Sequence, residues 1–388
     1  MPNVLFQITE DLLESGLRGF PVGYCSTSNV DPEKGISYVG KPIAELANWK
    51  PAQVIFLLYH GYEGNPQQIE EFSKHLAKRA QCSKEVITAV TKLPRSGHPM
   101  KVFSAALLLL GMYEGSGDYR EDCLNLIAKV PHLVAAVINH HAGWGETPPP
   151  NPQLGYMENF AYMLQVPNGN DKELTSAFKL FNILHYDHGG GNLSAFVGKA
   201  VASGLEDMYG SITSAMLALA GPRHGKANQD CLEFVKTVLK EVGDDVNPEQ
   251  IEKVLRHRLS NNQLIYGFGH AVLRVEDARA TVLYDYANQH YSNNPLVKTA
   301  FLLRTVGAKV LKENPKVADP YPNVDAVSGT VLSAAGFPYP EYFTVLFGMS
   351  RVVGISIQIV YERCEARGGK GTPIVRPKYI YRPREKTS

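Results

Sequence analysis

Residues 192–220 read NLSAFVGKAVASGLEDMYGSITSAMLALA. This stretch is rich in Ala, Leu and Met, carries few charges, and begins with an Asn, a residue that favours the N-cap of a helix. We therefore expect one long helix, or two abutting ones, buried on most faces. The stretch indicates a helical core.

Helical periodicity also dominates the rest of the chain. In Pro66–Ala80 the residues Ile69, Phe72, Leu76 and Ala80 recur at spacings of three and four, with charged residues on the other side. Strand-like alternation is confined to the N-terminal region, around Val22–Ser26 and Ile36–Val39. The predicted fold class is all-α with a minor β element near the N-terminus. The other predicted helices are Lys101–Tyr113, Glu121–Asn139, Asp230–Val242, Pro248–Leu259, Asp277–His290, Leu296–Glu313 and Pro340–Ala366.

Composition argues for local rather than global binding sites. The chain has 388 residues, with 39 Lys and Arg against 38 Asp and Glu, so no overall charge attracts nucleic acid or a membrane surface. The longest apolar runs, Val54–Tyr59 and Ala105–Met112, are too short to span a membrane. We expect neither nucleic acid nor membrane as a partner.

Cysteine usage and the N-terminus predict a cytoplasmic protein. The five cysteines are scattered and form no C-x-x-C pair, which is typical of a reducing compartment. The N-terminal sequence has neither the basic and apolar regions of a signal peptide nor the Arg-rich character of a transit peptide. A mature mitochondrial matrix protein is the alternative.

Four glycine-flanked segments interrupt the predicted helices and hold titratable residues. Glycine lets the backbone approach a ligand closely, so a His between glycines is well placed to contact substrate. The segments are Asp187–Asn192 (DHGGGN), Gly221–Asn228 (GPRHGKAN), Tyr266–Arg279 (YGFGHAVLRVEDAR) and Pro320–Gly329 (PYPNVDAVSG).

Three other kinds of site lack support. Gly267-Phe268-Gly269 is no dinucleotide loop, because Val272 stands where the third glycine should be. His185 and His188 lie three residues apart without H-E-x-x-H or a cysteine pair, so no metal site is predicted. Ser350 lacks the G-x-S-x-G elbow of a serine hydrolase.

Taken together and in order, these segments resemble the motifs of citrate synthases, most of all the mitochondrial-type branch. GPRHGKANQD resembles the motif of the first catalytic His, and GFGHAVLR with Asp277 and Arg279 resembles that of the second. YPNVDAVSG resembles the catalytic Asp motif, and FGMSRVVG and RPK resemble two arginine motifs. The likeness extends from about Gly16 to about Lys378.

This resemblance implies an architecture and a reaction. The family fold has two helical domains around a cleft, here a large domain of residues 1–225 and 336–388 and a small domain of residues 226–335. The protein would be a homodimer that condenses acetyl-CoA with oxaloacetate to give citrate and CoA. Acetyl-CoA would be a substrate, and no metal or redox cofactor is implied.

The resemblance also assigns residues to roles. Asp325 would be the base, His224 the donor to the thioester oxygen, and His270 the donor to the oxaloacetate carbonyl. The expected oxaloacetate ligands are His188, Asn192, Arg279, Arg351 and, from the partner subunit, Arg376. The expected CoA ligands are Arg18, Arg274 and Lys316.

The sequence departs from the family pattern at several positions. Gly189 replaces the usual Glu, Val327 replaces a His, and an extra segment lies around Gly368–Pro373. Arg223 and Lys226 flank His224 where Leu is usual, and we expect these cations to lower the pKa of His224.

Two other functions stay open at this stage. A 2-methylcitrate synthase would use propionyl-CoA with the same catalytic trio, and one methylene changes selectivity by only about 1–3 kcal/mol. A catalytically silent paralogue that binds CoA is the alternative of another class.

Overall fold

The computed structural model describes residues 3–167, 169, 171–315 and 317–384. It confirms the predicted fold class, since helices dominate and the described strands form one small antiparallel sheet. The sheet has the order β1 (Ser28–Asp31), β2 (Gly35–Tyr38) and β3 (Lys41–Pro42).

The helices carry the rest of the fold. In chain order they are α1 (Ile43–Leu46), α2 (Pro51–His60), α3 (Pro66–Arg79), α4 (Lys84–Val90), α5 (Pro99–Glu114), α6 (Tyr119–Ala142), α7 (Tyr156–Met163), α8 (Asp171–Leu184), α9 (Leu193–Ala202), α10 (Met208–Leu219), α11 (Ala227–Val242), α12 (Pro248–Ser260), α13 (Ala278–Tyr291), α14 (Pro295–Leu302), α15 (Ala308–Lys312), α16 (Asp325–Ala334) and α17 (Phe343–Val360). Short 3₁₀ helices span Glu10–Leu12 and Pro340–Tyr342, and π-helical turns span Leu303–Gly307 and Tyr361–Glu365.

The segment 192–220 folds as two helices, which was one of the two expectations. Asn192 caps α9 by accepting the backbone N–H of Ala195 at 3.1 Å. A turn follows in which Leu205 has a φ of 69°, and Asp207 caps α10 through the N–H of Gly210 at 2.8 Å. A residue in this left-handed conformation cannot continue an α-helix.

The predicted strand around Val22–Ser26 is wrong, because β1 begins only at Ser28. The register of the hairpin explains the difference. Asp31 accepts the N–H groups of Glu33 and Lys34 in the turn, so the ladder extends from Asp31↔Gly35 to Ser28↔Tyr38. β2 ends there and leaves no partner for residues 22–26.

Two core helices are long and apolar enough to cross a membrane by length and composition, Tyr119–Ala142 and Pro340–Glu365. Neither helix is an uninterrupted apolar run in the sequence, because polar residues such as Lys129 and Arg351 lie within them. Of their apolar windows 83% and 94% are buried inside the protein, as expected for core helices. All residues of α17 are buried, and this helix packs against α5, α6, α9 and α10.

Helices of the predicted small domain pack largely on one another, since α16 contacts α11, α13 and α14. Further contacts connect α16 to α8 and α13 to α1. The division at residues 226 and 335 stays a prediction.

Candidate active site

The first motif histidine lies in the turn between α10 and α11. His224 Nε2 accepts the backbone N–H of Ser194 at 3.2 Å and lies 3.0 Å from the Ser194 hydroxyl. Because Nε2 is an acceptor, the neutral ring carries its proton on Nδ1. The structure thus leaves an N–H donor on the opposite edge of the ring.

Burial, and then the charge of Arg351, lower the pKa of His224 to about 4. The expectation that Arg223 and Lys226 cause this shift was wrong. Arg223 is exposed, and Lys226 forms an ion pair with Asp230 at 2.5 Å. The imidazole is neutral at physiological pH because it is desolvated beside a buried guanidinium.

The second motif histidine has the opposite tautomer. His270 Nδ1 accepts the backbone N–H groups of Val272 at 3.0 Å and Leu273 at 2.9 Å. The neutral ring therefore carries its proton on Nε2. Burial, with Arg279 next, lowers the pKa of His270 to about 4.

A network of backbone contacts joins the His270 turn to the segment before Asp325. The N–H of Gly269 donates to Tyr321 O at 3.1 Å, and the N–H of Asn323 donates to Gly267 O at 3.0 Å. The Asn323 side chain donates to Gly269 O at 2.9 Å and accepts the Asp325 N–H at 3.0 Å. Asn323 thus fixes the position of Gly269, the neighbour of His270, relative to that of Asp325.

Asp325 is the first residue of α16. Its carboxylate forms no hydrogen bond with other described residues. Burial raises the pKa of this carboxyl to about 6, although Arg279 opposes the rise. A carboxylate with this pKa is ionised at neutral pH but is a stronger base than an exposed one.

His188 meets His270 directly. Their Nε2 atoms lie 3.3 Å apart, and the tautomer of His270 makes His270 the donor. Burial holds the pKa of His188 well below its ordinary value, with Arg279 and Arg351 adding to the effect. His188 is therefore a neutral acceptor in this contact.

Two buried arginines lie at the centre of these groups. Arg279, 3% exposed, donates through Nε and Nη2 to the carboxylate of Asp277 at 3.0 and 2.7 Å. Arg351, 2% exposed, donates only to His185 O at 3.4 Å and stacks over the Phe347 ring. Among the described residues no carboxylate lies within ion-pair distance of Arg351.

The charges of the two buried arginines act on the other predicted site residues, which shows that these residues lie near one another. The charge of Arg351 acts on His224, His188 and Asp325, and that of Arg279 acts on His188, His270 and Asp325. Burial lowers the pKa of Arg351 to about 10, so it stays charged at pH 7. A buried cation without a carboxylate indicates a site for an anionic ligand.

Asn192 is near the site, but its polar atoms are engaged in the protein. Its Oδ1 caps α9 and accepts the Ser194 hydroxyl at 2.8 Å, and its Nδ2 donates to Gly189 O at 2.9 Å. In this structure it shapes the loop that carries His188.

Of the remaining predicted ligands, Arg274 lies next to His270, and its Nη1 donates to His270 O at 3.4 Å. Arg18 is exposed in the N-terminal region, and Arg376 is exposed in the C-terminal segment. Arg274 is exposed and donates to the backbone, for example to Leu273 O at 2.6 Å. Lys316 lies outside the described residues. The donation of Arg376 across a dimer interface stays a prediction.

Sequence reasoning missed Asp187 and Ser194. Asp187 is fully buried and accepts hydrogen bonds from the Thr27 and Ser28 hydroxyls, the Gln358 amide and the His188 N–H. It holds the DHGGGN loop against the N-terminal sheet and α17. In the sequence, the position of Asp187 directly before His188 was the signal that could have identified it.

No group of three or more potential metal ligands occurs among the residues that the structure covers. The fold and site define a class: an all-α enzyme with two neutral imidazoles and one carboxylate around buried cations.

Comparisons with known proteins identify the family. Residues 16–384 match the family model described as citrate synthase, C-terminal domain. The mitochondrial citrate synthase 4 of Arabidopsis thaliana is 36% identical, over 97% of this chain and 83% of that protein.

Solved structures show the same fold. The citrate synthase of Thermotoga maritima has a TM-score of 0.81 at 26% identity, over 97% of both chains. That of Thermoplasma acidophilum, solved with carboxymethyl coenzyme A and oxaloacetate, has a TM-score of 0.83 at 24% identity, again over 97% of both chains. The chain belongs to the citrate synthase family and is an acyltransferase.

Proposed function

We propose that this protein condenses acetyl-CoA with oxaloacetate to give citrate and CoA. The observation that carries the proposal is the arrangement of His224, His270 and Asp325 within reach of two buried guanidiniums. The Thermoplasma relative, which shares the fold, was solved with a CoA analogue and oxaloacetate.

Deprotonation of the acetyl methyl group is the first step. Asp325 takes the proton, and the electron pair of the C–H bond moves into the thioester to form an enolate. The Nδ1–H of His224 donates to the enolate oxygen, because Nε2 is already held by Ser194. The neutral imidazole stabilises the developing negative charge on the oxygen through this hydrogen bond and keeps its own proton.

Carbon–carbon bond formation follows at the oxaloacetate carbonyl. The Nε2–H of His270 polarises the carbonyl oxygen and gives its proton to the new alkoxide, and the proton that Asp325 took from the methyl group restores the imidazole. This N–H faces His188 in the structure, so the carbonyl oxygen would enter between the two rings. Water then hydrolyses the thioester of citryl-CoA, and citrate and CoA leave.

Oxaloacetate is a dianion, which suits two guanidinium groups. Arg351 has no carboxylate partner among the described residues, and Arg279 uses only Nε and Nη2 for Asp277. We assign the substrate carboxylates to these two arginines and to Arg376 of the partner subunit, with His188 as a further contact. Asn192 would support the His188 loop.

CoA binding is assigned to exposed cations. Arg18, Arg274 and Lys316 would contact its phosphates, and the exposure of Arg18 and Arg274 leaves both accessible to a large ligand.

The homodimer is supported by exposed apolar residues on adjacent helices. Leu108 and Met112 of α5 are 45% and 82% exposed, and Leu217 of α10 is 55% exposed. α5 and α10 pack together, so these residues lie on neighbouring elements. Apolar surface of this kind is typical of an interface.

Cytoplasmic location stays our proposal, and the mitochondrial names of relatives make the matrix the alternative.

A thiol-release assay with acetyl-CoA and oxaloacetate tests the function. We expect CoA release that requires both substrates and falls sharply in Asp325→Ala. Faster turnover of propionyl-CoA would identify a 2-methylcitrate synthase instead. CoA binding without thiol release from either acyl-CoA would identify a silent paralogue.

A further inference from the structure

A buried ion pair lies beside the loop that carries His188. Lys199 of α9 places its Nζ 3.3 Å from Glu362 Oε1, in the π-helical turn after α17. The two side chains are only 9% and 14% exposed. Within the described part of the chain, Glu362 is the carboxylate at ion-pair distance from Lys199. The steps proposed above use neither residue.

This ion pair contacts the loop at Gly190. A Cβ atom added to Gly190 would stand 2.7 Å from Lys199 Nζ and 3.3 Å from Gln358 Oε1. The ammonium group therefore packs close to the loop backbone, and a side chain at position 190 would displace it. Gln358 donates from α17 to Asp187 Oδ1 at 2.8 Å and to Gly189 O at 3.3 Å. Residues from α9 and α17 thus contact the loop from Asp187 to Gly190.

The extra C-terminal segment is attached to the same turn. The N–H of Thr372 donates to Glu362 O at 2.9 Å, and Arg363 Nη2 donates to Thr372 O at 2.6 Å. The segment around Gly368–Pro373 thereby fixes the backbone from which Glu362 reaches Lys199. The carboxylate beside the loop therefore comes from the π-helical turn after α17.

We propose that Lys199 and Glu362 are positioning residues for oxaloacetate: their ion pair fixes the DHGGGN loop and so holds His188 against His270. This inference rests on the proposed function, because it takes His188 as an oxaloacetate contact. Loss of the pair releases the loop, so oxaloacetate binds more weakly. Asp325 lies on α16 and keeps its place, and His224 stays bound to Ser194 in the first turn of α9.

Calorimetric binding of oxaloacetate and steady-state kinetics test the proposal on Glu362→Gln. We expect the Kd and the KM for oxaloacetate to rise by roughly tenfold or more, with kcat at saturating oxaloacetate much less changed. Glu114→Gln is the matched control, since Lys129 and Glu114 form a similarly buried pair, 15% and 12% exposed, between α5 and α6. This control should lose stability without losing oxaloacetate affinity.

A double variant guards against misfolding of the single one. Lys199→Met/Glu362→Gln removes both charges and leaves no unpaired ion in the interior. We expect it to fold and still to bind oxaloacetate more weakly than the wild type. Wild-type affinity in either variant, or an equal loss in Glu114→Gln, overturns the positioning role. If the wild type releases no thiol, the proposed function fails separately, since calorimetry does not depend on turnover.

Discussion

The pH dependence of activity follows from the separation of three pKa values within the site. Burial raises the pKa of Asp325 to about 6 and lowers those of His224 and His270 to about 4. The base must be ionised, so kcat/KM should fall as the pH drops through about 6. The imidazoles stay neutral until about pH 4 and do not contribute to this limb. A pH–rate profile checks this, and an acid limb near pH 4 would contradict it.

The same shift predicts that Asp325 opposes folding. Its folded pKa, about 6, lies above the ordinary value of 3.8, so the ionised carboxylate destabilises the folded state above pH 6. Asp325→Asn should raise the free energy of unfolding by ~3 kcal/mol at pH 7, and the gain should vanish below pH 4. Activity should fall about 10²- to 10⁴-fold.

Thermal unfolding at pH 7 and at pH 4, with thiol-release rates, measures both effects of Asp325→Asn. Asp285→Asn is the control, because Asp285 is an exposed residue of α13. It should change the free energy of unfolding by no more than about 0.5 kcal/mol. Equal stability of Asp325→Asn and the wild type at pH 7 would sink the idea.

Substitution of each buried arginine by Met should change the stability of the protein differently. Arg279→Met leaves the buried carboxylate of Asp277 unpaired and should cost about 3–5 kcal/mol of stability. Arg351→Met removes a buried cation that lacks a carboxylate partner among the described residues, so stability should hold or rise. Both should weaken oxaloacetate binding. Chemical denaturation and calorimetry measure the two effects, and a large loss of stability in Arg351→Met would refute the unpaired-charge argument.

At the scale of elements, the junction between the His270 turn and α16 depends on one glycine. Gly267 has a φ of 82°, and an added Cβ would stand 2.8 Å from the Ala326 Cα. Gly269 has nearly the same φ, 83°, but its Cβ would stand 3.5 Å from the nearest atom, Asp319 O. A comparison of Ala substitutions at these two glycines therefore separates the cost of backbone strain from the cost of packing.

Both Gly→Ala variants should carry the strain of a left-handed residue, about 1–3 kcal/mol. Gly267→Ala should cost ~1–3 kcal/mol more, because α16 must move away. That movement separates Asp325 from His270, so kcat should fall further in Gly267→Ala. Denaturant unfolding and turnover of the two variants provide the comparison. Equal losses would show that packing at Ala326 does not matter.

Helices were predicted best from the sequence where a single apolar face and a capping residue defined them. Pro66–Ala80 became a helix from Pro66 to Arg79, with Asn65 as its cap. Helices α1, α2, α4, α7, α8 and α16 were not predicted. In α16 the glycine and small residues that pack against α11 obscure the apolar period. Local periodicity says little about a helix that is buried on several sides.

The site was predicted as a set of residues but not as a geometry. The motifs named the two histidines, while their opposite tautomers depend on backbone donors from Ser194, Val272 and Leu273. The role of Asp187 depends on Thr27 and Ser28, which lie about 160 positions earlier in the chain. Such contacts leave no trace in local spacing.

At the scale of the whole molecule, oxaloacetate should connect the two predicted domains. Arg351 lies on α17 in the predicted large domain, and Arg279 lies in the first turn of α13 in the predicted small domain. The two guanidiniums repel each other, and the charge of Arg279 therefore helps to lower the pKa of Arg351. A dianion between them replaces this repulsion with attraction to both sides, which favours closure of the cleft.

Closure should create the acetyl-CoA site, so oxaloacetate should bind first and raise the affinity for the thioester. Calorimetry with carboxymethyl coenzyme A, which cannot react, measures that affinity with and without oxaloacetate. We expect about 5- to 150-fold tighter binding in its presence, the usual range of coupling between two sites. The variant Arg351→Met should lose this coupling. Oxaloacetate bound to that variant would contact Arg279 of the predicted small domain but no guanidinium of α17. Equal affinity for the analogue under both conditions would refute the ordered mechanism, while leaving the assignment of the catalytic residues intact.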